Sequence, residues 1–171
     1  MTADNTNPQP IDIEHPKPEV LATMGDVFYV LQRSPYHQRL TLAQLRVMWE
    51  PPVHLGQVWV FRADGYPRGL QSFAFLSADA ERRFAGEGVA LRMDDWRSGD
   101  RRWAVETIVP YSNWRLMRQG WNWVCTTGFA KQKFRFQRLA PDSKPARIME
   151  SSFSATGRQV IRRVEKSALG A

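Results

Sequence analysis

The sequence has little of what most metal and redox sites need. Its 171 residues include one cysteine, Cys125, and three histidines, with no cysteine and histidine cluster at zinc-binding spacing. A phosphate-binding loop, a Gly-x-Ser-x-Gly elbow and a dinucleotide-binding glycine fingerprint are also absent. We therefore expect no metal and no tightly bound cofactor, and we interpret Cys125 as a small buried residue.

Long apolar runs are missing as well. No stretch approaches the roughly 18 apolar residues of a membrane span, and no secretory signal opens the chain. The sequence therefore predicts a soluble, cytoplasmic protein. Residues 1–17 are polar, rich in Pro, Asn and Asp and without periodicity, which predicts a disordered or loosely docked tail before one globular domain at 18–171.

Basic residues exceed acidic ones, and the formal net charge is +7. Most of the 24 basic residues are arginines, whose planar guanidinium suits carboxylate and phosphate partners. An acidic protein, a nucleic acid, an anionic cofactor or simply a well-solvated surface would each agree with this charge.

Hydrophobic periodicity outlines the domain. It predicts an amphipathic helix from Pro18 to about Arg33, a short helix closed by Pro51-Pro52, a hairpin around "ADGY", a short helix at "ADAERRFAG" and a polar loop at "DDWRSGD". A central strand at "RRWAVETIVP", a helix at "NWRLMRQGW", a strand pair at "KFRFQRL" and "ARIMESSF", and a basic terminal helix at "RQVIRRVEKSAL" follow. This order predicts an α/β or α+β fold with a mixed sheet.

Two polar residues, Glu106 and His37, stand at positions that suggest a special role. Glu106 interrupts an apparently buried strand, so it needs a partner or must become neutral. His37 follows Pro35 at a helix exit, in a turn that can point it into a cleft. Glu106 either pairs with an arginine as a structural charge, or orients His37 and stabilises its protonated form. Alternation along the strand places Glu106 and Trp103 on opposite faces.

Several motifs resemble one family, the toxin-activating lysine acyltransferases that modify repeats-in-toxin proteins. The resemblance lies in "SPYH" at 34–37, "DGYPRG" at 64–69 and "DDWRSGDRRWAVETIVP" at 94–110, and covers about residues 19–155. It implies a fold of the general N-acetyltransferase type, transfer of a fatty acyl group from acyl carrier protein to a lysine of a protein acceptor, and often a homodimer.

The resemblance also implies residue roles. His37 matches the catalytic histidine and Glu106 the acidic position of the central strand, which is usually aspartate in the family; Ser34 matches a supporting serine. The chain lacks the loop that binds coenzyme A pyrophosphate in acetyltransferases, which agrees with a protein-borne acyl donor. For an acidic carrier protein we predict a docking surface made by Arg115, Arg118, Lys131 and Lys133.

Two other functions remain alternatives at this point. One is a coenzyme A-dependent N-acyltransferase of small molecules, which would differ in its donor. The other is a non-catalytic basic adaptor that binds nucleic acid or a protein partner, in which His37 and Glu106 are structural. Nucleic-acid binding would weaken steeply with salt, whereas acyl transfer would leave a mass increment on a lysine.

Overall fold

The computed structural model describes residues 13–111, 113–139 and 145–170. Most of the predicted tail, residues 1–12, lies outside the described residues, so the division into tail and domain stays a prediction. The described chain enters the domain at Pro18, which occupies the start of the first helix as its fixed φ favours.

Four α-helices and six strands make up the described fold. The helices are α1 (Pro18–Leu31), α2 (Leu42–His54), α3 (Ala78–Glu81) and α4 (Trp114–Trp123), and the strands are β1 (Val58–Ala63), β2 (Tyr66–Leu76), β3 (Arg101–Ile108), β4 (Phe134–Leu139), β5 (Pro145–Phe153) and β6 (Gln159–Val164). Short 3-10 turns lie at His37–Arg39, Met93–Trp96 and Lys166–Ala168, and π-helical turns follow α3 and α4.

The six strands form one sheet in the order β1-β2-β3-β4-β5-β6. Neighbouring strands are antiparallel, except that β3 and β4 are parallel and pair only at Trp103 with Arg135 and Ala104 with Phe136. The β1–β2 hairpin turns through Asp64 and Gly65, both at positive φ, as the Asp-Gly pair predicts. The mixed α/β architecture predicted from the pattern is confirmed.

Helices cover both faces of the sheet. On one face, α1 and α2 pack against Leu70 and Ile108, and the α3 region packs against Leu76 and Trp103. On the other face, the α4 region covers an aromatic cluster that includes Phe73. The single domain is therefore built in three layers, and the segment joining α1 to α2 lies on the first face.

Two predictions about helices were wrong. The Pro51-Pro52 pair does not close α2 but lies inside its last turn, where Leu55 N donates to Pro51 O at 3.0 Å and Gln57 N to Pro52 O at 2.7 Å. Proline has no N–H to donate, which destabilises that turn of the helix. Both prolines are buried against the core, and this packing stabilises the helical turn in compensation.

The predicted basic terminal helix is instead the edge strand β6, followed by a short 3-10 turn. The chain reverses at Gly157, which has a φ of 77°, and β6 then pairs along β5. Arg162 of β6 lies opposite Glu150 of β5 and donates to its carboxylate at 2.7 Å. This long-range ion pair favours the strand over the helix that local spacing suggested.

The "DDWRSGD" segment is not simply a polar loop. It forms a 3-10 turn in which Asp95 and Trp96 are both buried. Asp95 accepts hydrogen bonds from the Arg83 guanidinium at 2.7 Å and from Arg92 N at 2.9 Å. The bonds from Arg83 are the main reason that the pKa of Asp95 lies below its usual value.

Candidate active site

His37 opens a tightly held turn between α1 and α2. The turn is closed by backbone hydrogen bonds from Gln38 N to Ser34 O at 3.0 Å and from Leu40 N to His37 O at 3.1 Å. Thr41 then begins α2 with a capping box. The imidazole is buried, with 4% of its surface exposed, so it is fixed inside the fold rather than held in an open cleft.

Both ring nitrogens of His37 have partners. Nδ1 lies 2.7 Å from the Ser34 hydroxyl, which is itself buried, and Nε2 lies 3.0 Å from Glu106 Oε1. Glu106 keeps 27% of its side chain exposed. The structure thus brings together the three residues that the sequence singled out for catalysis, across a separation of 69 residues between His37 and Glu106.

A β-bulge directs Glu106 towards His37. Ser72 of β2 pairs with Glu106, but the next residue, Phe73, pairs with Ala104, so Val105 is an extra residue in β3. Because Ala74 pairs with Trp103 on the same face as Ser72, Glu106 and Trp103 share a face. The alternation predicted from sequence, which separated them, was therefore wrong.

The hydrogen bonds constrain the protons of the site. An ionised Glu106 only accepts, so Nε2 carries a proton towards it, and in the neutral imidazole Nδ1 then accepts from the Ser34 hydroxyl. When the ring is protonated, both nitrogens donate and Ser34 Oγ accepts. A hydroxyl, an imidazole and a carboxylate in this order can take up and return one proton beside a reacting group.

Among the described residues, no arginine forms an ion pair with Glu106, so its partner is the histidine rather than a guanidinium. The same part of the chain holds no group of three His, Cys, Asp or Glu side chains that could ligate a metal ion. None of its helices is long and apolar enough to cross a membrane.

The four predicted docking residues fall into different settings. Arg115 and Arg118 are exposed on α4, and both guanidiniums lie over the ring of Trp114, at 5.8 and 5.1 Å from its centroid. Lys133 instead lines a cavity of about 290 Å³ at the start of β3 and β4, where its Nζ lies 4.0 Å from Glu150. Lys131 is exposed in the turn before β4, at a positive φ of 60°.

One polar residue beside the site escaped the sequence reasoning. Gln71 is fully buried in β2 and its side-chain amide donates to Glu106 O at 3.0 Å. A glutamine inside the apolar run "GLQSFAF" was a signal of the same kind as Glu106, a polar group that needs a partner in a buried strand.

A histidine hydrogen-bonded to a serine and to a carboxylate has the groups that general acid–base catalysis of a group transfer requires. The chain belongs to the RTX toxin acyltransferase family, whose profile matches residues 17–152. The protein is therefore an acyltransferase.

Curated relatives agree along most of the chain. The RTX-I toxin-activating lysine-acyltransferase ApxIC of Actinobacillus pleuropneumoniae is 30% identical over 131 residues, covering 74% of this chain and 72% of the relative. The leukotoxin-activating lysine-acyltransferase LtxC of Aggregatibacter actinomycetemcomitans is 27% identical over 145 residues, 82% of each chain. The protein-lysine myristoyltransferase HlyC of Escherichia coli is 24% identical over 150 residues, covering 85% and 84%.

Proposed function

We propose that this protein transfers a fatty acyl group from an acyl carrier protein thioester to a lysine ε-amino group of an RTX-type protein acceptor. The observation that carries the proposal is the Ser34–His37–Glu106 hydrogen-bonded chain in a member of this acyltransferase family. The relatives' names, toxin-activating and protein-lysine acyltransferase, support the choice of lysine and of a toxin-like acceptor.

The chemistry needs a base near neutrality. A lysine ammonium with a pKa of about 10.4 costs roughly 4 to 5 kcal/mol to deprotonate at pH 7. In the proposed reaction the lysine ammonium gives one proton to solvent, and the free amine attacks the thioester carbonyl and forms a C–N bond. His37 accepts a proton from the attacking nitrogen, and the C–S bond breaks to leave the amide. His37 then returns the proton to the departing thiolate.

The two partners of His37 have different roles in this scheme. Glu106 fixes the ring through Nε2 and stabilises the imidazolium that forms, as a nearby negative charge does. Ser34 supports the ring at Nδ1, the nitrogen that no carboxylate contacts, and its whole side chain must turn away from Nδ1 before the incoming amine can reach that nitrogen. A covalent acyl-histidine is the alternative route and would be seen as a mass increment on the enzyme itself.

The charge of helix α4 supports an acidic carrier protein as the donor, and the sheet topology supports the proposed type of fold. Helix α4 carries Arg115 and Arg118 and no acidic residue, so it suits an acidic carrier protein, with Lys131 and Lys133 adding positive charge before β4. The parallel β3–β4 pair, in which only two residues of each strand are paired, is consistent with the general N-acetyltransferase type of fold. The proposal further includes a cytoplasmic location, where acyl carrier protein is available, and a homodimer, which sedimentation would test.

The test combines the purified chain with acyl-acyl carrier protein and an RTX-type protein acceptor, and follows the intact mass of the acceptor. We expect an increment of one acyl chain on a lysine with the native protein and a much slower appearance of that increment with His37→Ala. Parallel reactions with acyl-coenzyme A and with small amines address the alternative donor and acceptor. Transfer to small amines from coenzyme A alone would overturn the proposal.

A further inference from the structure

Gln71 lies at the point where the pairing of β2 with β3 changes register. It is fully buried in β2 and lies opposite Thr107 of β3. The register shift comes immediately after the next pair, Ser72 with Glu106. Gln71 projects to the opposite face of the sheet from Glu106, so it touches the backbone of the site rather than its reacting groups.

All the polar atoms of the Gln71 side chain are used. Nε2 donates to Ser72 O at 2.8 Å and to Glu106 O at 3.0 Å, and Oε1 accepts from the Thr107 hydroxyl at 2.6 Å. The amide cannot rotate by half a turn, because its oxygen would then face two carbonyl oxygens. Its orientation is therefore fixed by three partners, on both strands.

The β-bulge is the reason that the backbone of Glu106 needs this additional hydrogen bond. A regular ladder would fix Glu106 through evenly paired neighbours, but the extra residue Val105 interrupts the ladder directly before it. Glu106 has a flexible side chain, and its 3.0 Å contact with His37 is kept only if the backbone that carries it stays in place. The Gln71 amide supplies a hydrogen bond to that backbone where the ladder is irregular.

We infer that Gln71 is a positioning residue of the acyl-transfer site, which holds the backbone of Glu106 so that the carboxylate reaches His37. The inference rests on the proposed function where it concerns turnover, but the contact between His37 and Glu106 is measurable without any reaction. Thr107 has a smaller part, because it fixes only the oxygen end of the same amide.

The experiment replaces Gln71 with methionine, which is similar in length but makes no such hydrogen bonds. Gln57→Met is the matched control, because Gln57 is also buried but its amide donates to Trp96 O at 3.0 Å rather than to Glu106. Turnover, the Michaelis constants for donor and acceptor, thermal unfolding and the imidazole ¹⁵N shifts of His37 are measured for each.

For Gln71→Met we expect kcat to fall by about ten- to a hundredfold, as a misplacement near 1 Å does, with the Michaelis constants little changed. The His37 ¹⁵N shifts should move in the direction seen for Glu106→Gln. In the Glu106→Gln background the same change should cause little further loss, because Gln71 acts through Glu106. Gln57→Met should keep both kcat and the His37 shifts.

Normal kcat and unmoved His37 shifts in a folded Gln71→Met protein would overturn the inference, as would an additive loss in the double variant. If Gln71→Met fails to fold, Thr107→Val removes one of the three bonds at constant shape and should give a smaller loss of kcat, about threefold. An inactive native protein would overturn the proposed function instead, while the ¹⁵N shifts would still decide whether Gln71 positions Glu106.

Discussion

The two ends of β3 hold carboxylates in opposite ways. At its start, the buried Glu81 and Glu150 are surrounded by guanidinium groups, which stay charged at any physiological pH. Near its end, Glu106 is paired with one imidazole, whose two ring nitrogens can each donate or accept a proton.

At the arginine-rich end the contacts join segments that are distant in sequence. Glu81 accepts from Trp103 Nε1 at 2.8 Å, from Arg135 at 2.7 Å and from Gly170 N at 3.1 Å, which ties three distant segments to one carboxylate. Glu150 is bound on both oxygens by arginines of β4 and β6.

The difference separates a cluster of ion pairs at the start of β3 from the proposed reactive site near its end. A carboxylate that is hydrogen-bonded only to guanidinium groups is not placed for proton transfer, because those groups keep their protons. A carboxylate beside a histidine changes its interaction strength whenever the ring is protonated. Substitutions at the two ends should therefore affect different properties, stability at the first and turnover at the second.

The largest effect is expected from His37→Ala. Loss of the base should lower kcat by about 10²- to 10⁴-fold. The variant should also lose about 1–3 kcal/mol of stability, because His37 is buried and both Ser34 and Glu106 lose a partner. Acyl transfer followed by intact mass, together with chemical denaturation, measures both. His54→Ala is the control and should keep near-native turnover; near-native turnover in His37→Ala would remove His37 from the mechanism.

The second largest loss of kcat is expected from Glu106 variants, and its size should depend on the charge and the length of the new side chain. Glu106→Gln keeps the volume but removes the charge, and we expect about a hundredfold loss of kcat. Glu106→Asp keeps the charge but is one methylene shorter, so the 3.0 Å contact to Nε2 should lengthen and kcat fall by about tenfold. Single-turnover rates distinguish the two. Equal activity of both variants and the native protein would make Glu106 a structural charge.

At the start of β3, Glu150→Gln should lower the free energy of unfolding and change how that free energy depends on pH. Burial works to raise the pKa of Glu150, but hydrogen bonds from Arg162 and Arg135 lower it below the ordinary value. The ionised form therefore stabilises the fold above the unfolded-state pKa of about 4.3, and this contribution is lost as the pH falls through the lower folded value.

We accordingly expect Glu150→Gln to lose about 2–4 kcal/mol at pH 7, because arginines are left without their carboxylate. The difference from the native protein should shrink as the pH falls below about 4. Urea titrations across pH measure it, and kcat per folded molecule should be unchanged. A difference that is constant with pH would mean that Glu150 contributes by packing alone.

The smallest effect on activity is expected from substitutions on α4, which lies away from both ends of β3. Reversing Arg115 and Arg118 together to glutamate should raise the Michaelis constant for acyl carrier protein by about tenfold and leave kcat nearly unchanged. The increase should diminish at high salt, because the exposed charges are screened. Unaltered donor kinetics in the double variant would place carrier docking elsewhere.

Local signals in the sequence were sufficient for much of this fold. Pro18 begins α1, Asp64-Gly65 turns the first hairpin, and the apolar run around Trp103 is a central strand. These features depend on a few neighbouring residues whose backbone preferences are strong. Glu106 was identified as a polar group in an apolar strand, and His37 by its place in the turn after Pro35 and in the motif "SPYH".

What escaped prediction depends on partners distant in sequence. The strand β6 was read as a helix because its arginines suit either structure, and the deciding partner of Arg162 is Glu150. The face of Glu106 was misplaced because the bulge at Val105 arises from pairing with β2, and Gln71 acquires its role only through that pairing. Register is a property of two strands, so one strand's alternation did not contain it.

The single cysteine of the chain offers a direct measure of how the layer under α4 moves. Cys125 is buried in the aromatic cluster, and burial raises the pKa of its thiol, although hydrogen bonds from Gln159 and Ser151 oppose this. A thiol reagent can therefore modify the folded protein only when this layer opens. Labelling kinetics of the unmodified sequence thus report the opening free energy at one defined position, and their dependence on urea tells whether α4 detaches alone or with the whole domain.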